Sequence, residues 1–271
     1  MISVFGDLLT IAAKLENTHL ELFSDGWVHK ITKNGSNHFI YGYQFDLNDG
    51  VSQQLAADKC AAYELLNKSG LKAVPHCLVI NWVQNKNGNW IRVNQDENHI
   101  KNVCQKFTKQ YGLPLVTKPV NGTGGDLVSK AESSDELVIQ IRKLLKSQNM
   151  AAVSPFLEAS AEIRIYMLDN EVLLAYQKNR STGDWRFNLG KGAKPEIISL
   201  VDETMILNTQ NAFKSIGLRL GAVDFLIIKD GPIILEVNSG VMLNNFAARG
   251  LKQKDLAIQI YRKILQTMSR K

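Results

Sequence analysis

The chain has 271 residues, of which 45% are hydrophobic and 21% charged, with 19 Gly against 6 Pro; this is the composition of a globular chain of one or two domains and excludes collagen and intrinsic disorder. No apolar run approaches the roughly 18 residues of a membrane span, and MISVFGDLLTIAAKLE carries neither a basic n-region nor a small-residue cleavage site, so a cytosolic protein without a membrane partner is expected. The excess of 32 Lys+Arg over 26 Asp+Glu, +6 formally, suggests an anionic partner without naming one: nucleic acid, nucleotide phosphates and acidic peptides all fit.

Along the chain, His19 to Phe45 alternates apolar and polar residues around Asp25-Gly26 and Asn34-Gly35, which reads as short hairpins. Leu55, Ala56, Cys60, Tyr63 and Leu66 recur at helical spacing and predict one helix over 52–67, with Gly70 beyond its end. Cys77 to Val83 is a compact apolar run, hence a strand, and 94–111 a helix closed by Gly112. Strands are expected over 115–118 and 126–131, joined by a glycine-rich loop. Ser133 with Glu136 makes a capping box that opens a helix to about Ser147. Strands over 151–156, 162–168 and 171–178 follow, then a helix over 200–216. A hairpin of 219–229 with 232–238 turns at Asp230-Gly231, and a last amphipathic helix spans 254–268. Helices interleaved with antiparallel pairs indicate α+β rather than a doubly wound parallel sheet. Cys60, Cys77 and Cys104 are far apart, form no CxxC pair and read as buried free thiols rather than zinc ligands.

Three segments carry candidate chemistry. In Lys118-Pro119-Val120-Asn121-Gly122-Thr123-Gly124-Gly125 the glycines let backbone N–H groups converge on an anion, with a lysine at the strand end as a point charge; a flexible hairpin is the plainer alternative. The loop is neither a Walker A sequence nor a dinucleotide fingerprint. Asp224 in GAVDFLII and Glu236 with Asn238 in ILEVNSG meet across the Asp230-Gly231 turn: pairing through it sets Asp224 near position 237, beside Glu236 and Asn238. Three oxygen donors on core-like strands suit Mg²⁺ better than a solvated hairpin end. Lys178, Arg180, Arg186 and Asn188 cluster in a polar stretch where guanidinium forks suit phosphate or carboxylate, or are simply solvated.

The ordered set AADKCAAYELLNKSGLKAVP, VTKPVNGTGGD, SPFLEASAEIRIYML, KNRSTGDWRFNLGKG, AVDFLII and LEVNSG resembles the ATP-grasp superfamily of carboxylate-amine ligases, in the branch of RimK-type glutamate ligases, glutathione synthetases and cyanophycin synthetases. The resemblance implies an ATP-grasp fold, two antiparallel-sheet lobes gripping ATP. It divides the chain into a shortened N-terminal lobe (1–93), a central subdomain (94–156) and a C-terminal subdomain (157–271). By it, Lys59 and Lys118 bind ATP phosphates and residues 119–125 close over them. Ser154, Pro155, Phe156 and Leu157 form the adenine hinge, and Glu162, ahead of Glu158, binds ribose. Asp224, Glu236 and Asn238 hold two Mg²⁺, with Mn²⁺ as the alternative ion. Arg186 and Asn188 meet the transferred phosphoryl group, and Arg180 and Lys178 compete for the remaining basic position. The implied activity is ADP-forming amide synthesis through an acyl phosphate, between an amino-acid or peptide carboxylate and an amine. A macrocyclising ligase acting on a ribosomal precursor peptide and a non-catalytic ATP-binding module are the alternatives. ATP makes nucleic acid the less needed partner, and a homo-oligomer stays open.

Overall fold

The structure, a computed structural model, describes residues 4–33, 35–84, 87–92, 97–122 and 124–268; the expected turn residue Asn34, the expected helix start at 94–96 and Thr123 of the glycine loop lie outside them. Helix α1 (Val4–Leu15), which the alternation reading did not reach, buries Phe5, Leu8, Leu9, Ala12 and Ala13, a stripe at helical spacing. The hairpins become one antiparallel meander, β1 (His19–Phe23), β2 (Val28–Lys33), β3 (Ser36–Tyr41) and β4 (Gln44–Phe45). The single helix expected over 52–67 is two, α2 (Gly50–Ala57) and α3 (Lys59–Lys68). The break is at Asp58, whose extended backbone lets its carboxylate accept from the Cys60 and Ala61 N–H groups, 2.9 Å each. Lys59 thereby becomes the first residue of α3.

The apolar run at 77–83 divides into β5 (Cys77–Ile80) and β6 (Trp82–Gln84), which pairs with β7 (Trp90–Arg92) in a separate hairpin. Then come α4 (Glu97–Tyr111), β8 (Leu115–Pro119), β9 (Ser129–Ala131), α5 (Ser134–Ser147) and β10 (Met150–Pro155). Ser133 caps α5 through the Glu136 N–H, as the capping box requires. Strands β5, β10, β8 and β9 form an antiparallel sheet in that order, covered on one side by α4 and α5 through Val79, Ile100, Leu115, Leu137, Ile141 and Val153.

The remaining elements are β11 (Ala161–Leu168), β12 (Glu171–Asn179), β13 (Lys194–Ile197), α6 (Glu203–Ile216), β14 (Leu220–Ile228), β15 (Gly231–Asn238), α7 (Asn244–Ala247) and α8 (Leu251–Met268). Five of them make a sheet of order β13-β12-β11-β14-β15. Alternation along these strands sends Ile165, Met167, Val223 and Phe225 to the face covered by α3 and α6. The opposite face is divided along its length. Tyr166, Leu168, Leu174, Tyr176 and Leu220 pack against Phe5, Phe45 and Tyr261, burying the meander, α1 and α8 on that half. The other half carries Glu162, Arg164, Lys178 and Asp224, and it looks toward the β5-β10-β8-β9 sheet. Among the described residues no helix is long and apolar enough to cross a membrane.

Candidate active site

Register assembles the polar half of the face. Glu162 lies opposite Lys178, and Arg164 lies opposite Asp224. The β14–β15 register differs from the expected one by a residue: a bulge between Asp224 and Phe225 sets Asp224 directly across from Glu236, with Ala222 across from Asn238. Directly opposed residues share a face, so the bulge turns Asp224, Glu236 and Asn238 to the same side. Arg164 donates to both Asp224 oxygens, Nε at 2.6 Å from Oδ1 and Nη2 to Oδ2. Lys178 Nζ donates to Glu162 Oε1 and, at 3.2 Å, to Asp224 Oδ1. Asn238 Nδ2 lies 3.4 Å from Asp224 Oδ2 and 3.5 Å from Glu236 Oε1. Burial works against the Asp224 anion, yet Arg164 and Lys178 outweigh it and hold the carboxyl well below its usual range. Burial, with the Asp224 charge beside it, raises Glu162 despite Lys178.

Arg164 was not among the expected site residues. A signal was present: in AEIRIYML an arginine stands between two isoleucines of a core strand, where a charge demands a partner.

Across the cleft, Lys59 Nζ donates to the Gly122 carbonyl at 2.8 Å and the Val120 carbonyl at 3.4 Å, and lies 3.9 Å from Glu236 Oε2. Lys118 is 6% exposed on β8. Burial, reinforced by the Lys59 charge and opposed by Glu236, pushes its ammonium down to about 8. Asn121 is exposed at the loop's start, Gly122 follows it, and Gly124 and Gly125 take the left-handed backbone at φ +70° and +75°. A Cβ on Gly125 would stand 2.6 Å from Asn188 Oδ1, so the glycine loop and the Asn188 segment touch; Asp126 and Lys191 reinforce the closure at 3.5 Å.

The two basic candidates separate. Lys178 joins the buried carboxylates, whereas Arg180 donates to the Ala159 carbonyl at 3.0 Å and stacks over the Phe187 ring, 4.8 Å from its centroid. Arg186 stays with Asp184, with Nη2 at 2.9 Å from Oδ2. Of the expected pair, therefore, Asn188 meets the glycine loop and Arg186 is held locally. At the expected hinge, Ser154 and Pro155 end β10, the Phe156 N–H donates to the Pro114 carbonyl at 3.0 Å, and Leu157 packs with Val74, Phe187, Leu226 and Ile233. Glu158 is exposed while Glu162 is buried in the ion cluster.

Asp224, Glu236 and Asn238 stand on one side of a hairpin, Asn238 with its Nδ2 toward both carboxylates, so a cation there needs the Asn238 amide turned to present Oδ1. Among the described residues no group of three or more His, Cys, Asp or Glu gathers around a possible ion. Two carboxylates and an amide oxygen suit Mg²⁺, which completes its shell with water and substrate phosphate; they fall short of an all-protein cage. The set fits that ion on condition that the amide turns and that Arg164, which holds both Asp224 oxygens, yields one of them.

The description "RimK-like ATP-grasp domain" matches residues 56–268. Among curated proteins, the probable alpha-L-glutamate ligase of Vibrio atlanticus is 30% identical over 197 residues, 72% of this chain and 59% of the relative. That of Vibrio vulnificus is 31% identical over 224 residues, 80% of this chain and 66% of the relative. The chain thus spans less than two thirds of the length of these relatives. Among solved structures, D-alanine–D-alanine ligase from Bacillus anthracis complexed with ATP superposes with a TM-score of 0.55 at 16% identity, covering 82% of this chain and 71% of that one. The ATP-grasp ligase PsnB complexed with a phosphomimetic variant of its minimal precursor, Mg and ADP gives 0.53 at 20% identity, covering 79% and 62%. At these identities the two structures bear on the fold, which they share with this chain.

Proposed function

Because the chain belongs to the RimK-like ATP-grasp family, we propose that it is an ATP-dependent ligase joining an amino-acid or peptide carboxylate to an amine through an acyl phosphate, with release of ADP. One observation carries the reading: two lysines, Lys59 and buried Lys118, face Glu236 and the Asp224–Asn238 set across a cleft closed by a glycine loop. Cations on one wall and oxygen donors on the other suit a magnesium-bound polyphosphate.

A carboxylate is a poor electrophile. Its oxygen attacks the terminal phosphorus of ATP, the bond to ADP breaks, and the acyl phosphate forms; the amine nitrogen then attacks the carbonyl carbon, phosphate departs with the bonding pair, and the nitrogen loses a proton. Negative charge concentrates on the transferred phosphoryl group throughout, so positioning and fixed charge supply the catalysis. Lys59 and Lys118 bind the polyphosphate. Lys178 and Arg164 flank the place where the carboxylate enters, and Asn188 meets the phosphate loop. Asp224, Glu236 and Asn238 would hold Mg²⁺, which supplies charge neutralisation and orientation to the phosphates. Closure of residues 119–125 against Asn188 keeps water from the acyl phosphate. The adenine falls to the hinge at 154–157 and the ribose to Glu162.

The name shared by the relatives makes glutamate the first amino acid to try. Substrate-stimulated ADP release, scored over amino acids, dipeptides and longer peptides with and without glutamate, tests the proposal. Stimulation by a carboxylate–amine pair supports it, activity on a long peptide alone identifies a peptide-modifying ligase, and ATP binding without stimulation by any pair rejects the ligase reading.

A further inference from the structure

His76 lies one residue before β5, is 8% exposed, and takes part in none of the chemistry above. Its Nδ1 is 2.8 Å from the Val74 carbonyl. A carbonyl can only accept, so Nδ1 must carry the hydrogen. Burial comes first in disfavouring a second proton on the ring, and the Lys118 and Lys59 charges add to it, so the imidazole is held well below its ordinary range and stays neutral. A neutral ring protonated on Nδ1 presents a lone pair on Nε2. That nitrogen is buried with no hydrogen-bond partner among the described residues.

An unmet buried acceptor is costly, and what it needs is a donor. The ring borders a small recess lined also by Lys59, Tyr63, Leu235 and Glu236, with about 10 Å³ open to a water's centre, just enough for one ordered water. The head groups of two of these residues, Lys59 Nζ and Glu236 Oε2, stand 3.9 Å apart, one able to donate and the other to accept. A water there would have partners of both kinds, and His76 Nε2 supplies a further acceptor.

We propose that His76 is a positioning residue of the nucleotide site: its Nε2 accepts a hydrogen bond from a buried water that Lys59 and Glu236 share, and so fixes the Lys59 ammonium for the ATP phosphates. The recess lies between α3 and β15, so the bridge joins the helix that starts at Lys59 to the strand that carries Glu236. His76 therefore acts through Lys59 without touching the substrate. The inference rests on ATP being the ligand of Lys59 and Lys118, and the test separates the two claims.

Gln places a side-chain amide where Nε2 stands, whereas Asn reaches only the Nδ1 position and Leu offers no acceptor. Nitrogen-15 histidine spectra of the full chain at neutral pH, assigned by comparison with His76→Gln, should show a neutral ring protonated on Nδ1; a ring protonated on Nε2, or on both nitrogens, overturns the proposal. Calorimetric titration with MgATP should find His76→Gln within about threefold of the wild type and His76→Asn and His76→Leu weaker by about tenfold, the loss of one hydrogen bond to a charged network. All variants should keep the wild-type circular dichroism. If His76→Asn binds as well as the wild type, or His76→Gln loses as much as His76→Asn, the acceptor role fails while the ligase reading stands. If the wild type binds no MgATP, the ligase reading fails and this inference with it.

Discussion

Asp224 has two claims on it. As a magnesium ligand it needs a free oxygen, yet Arg164 and Lys178 between them occupy both. The arrangement gives Asp224→Asn a double effect: it removes a ligand and takes from Arg164 its bidentate partner, while Lys178 keeps Glu162; unpairing a buried charge costs about 3–5 kcal/mol. Its urea or thermal midpoint should drop accordingly, so loss of activity in that variant says little about metal. Glu236 is the cleaner probe. Its side chain is 25% exposed, and its nearest cations, Lys59 and Arg164, are each 3.9 Å away. Glu236→Gln should leave the midpoint within about 1 kcal/mol of wild type, as for loosely paired surface charges, while abolishing ADP release. Lys118 supplies a pH test. Its ammonium, pushed down to about 8 by burial, is charged below that pH and lost above it. kcat/KM for ATP, which reports the free enzyme, should therefore fall as pH rises through about 8, and a profile flat to pH 10 would contradict the assignment. At this scale the sequence exposed the residue types but not their partners. Lys178 and Arg180 stand two apart on the same segment, and only the β11–β12 register sends Lys178 to the carboxylates, while Arg180, just past the end of β12, turns to Phe187.

Elements rather than single residues explain where the sequence reading stopped short. The expected hairpin of 219–238 forms, but the bulge that turns Asp224 onto Glu236 leaves no mark in a pattern of apolar residues. Likewise Asp58 looked like a residue within a helix until its carboxylate capped the next one. Helix α1 lies ahead of the alternation that begins at His19, although its stripe of Phe5, Leu8, Leu9, Ala12 and Ala13 has the spacing of an amphipathic helix. Two close approaches can be tested by added methyl groups. A Cβ on Gly221 would collide with the Asn238 carbonyl, inside the β14–β15 pair, so Gly221→Ala should destabilise by about 1–3 kcal/mol in denaturant titration. A Cβ on Gly125 would meet Asn188 instead, and φ +75° strains any side chain there, so Gly125→Ala should cost about 1–2 kcal/mol of stability and raise KM for ATP by about tenfold, the cost of an imperfectly closed loop. In the meander, His29 on β2 is 1% exposed against Phe5, and neither ring nitrogen has a partner among the described residues. Burial lowers its pKa from the usual 6.5, so the unfolded chain takes up a proton that the folded one refuses. Its contribution is whole above about 6.5 and declines as pH falls below that value toward the folded one. Tm measured from pH 7.5 to 5 should fall, and His29→Leu should flatten part of that slope.

For the whole molecule, Lys59, Lys118, Arg164 and Lys178 all stand around one cleft, but Glu162, Asp224 and Glu236 stand among them, so the cleft takes up only one of the six surplus positive charges. Antiparallel pairs were legible where a turn carries its own signal, as at Asp169-Asn170 and Asp230-Gly231. The meander's place on the C-terminal sheet was not, since tertiary packing alone decides which half of a face is covered. The covered half ends at Tyr166, whose hydroxyl accepts from Arg164 at 3.4 Å and donates to the Met242 carbonyl at 3.3 Å, so the apolar half of the face meets the ion cluster there. The most direct test of the account is ADP release by wild type and Glu236→Gln, with MgATP and a panel of amino acids and peptides that includes glutamate. The account predicts that a carboxylate–amine pair stimulates ADP release by the wild type and that Glu236→Gln, though folded, shows none. Equal release by the two proteins, or a wild type that binds ATP and answers to no pair, would contradict it.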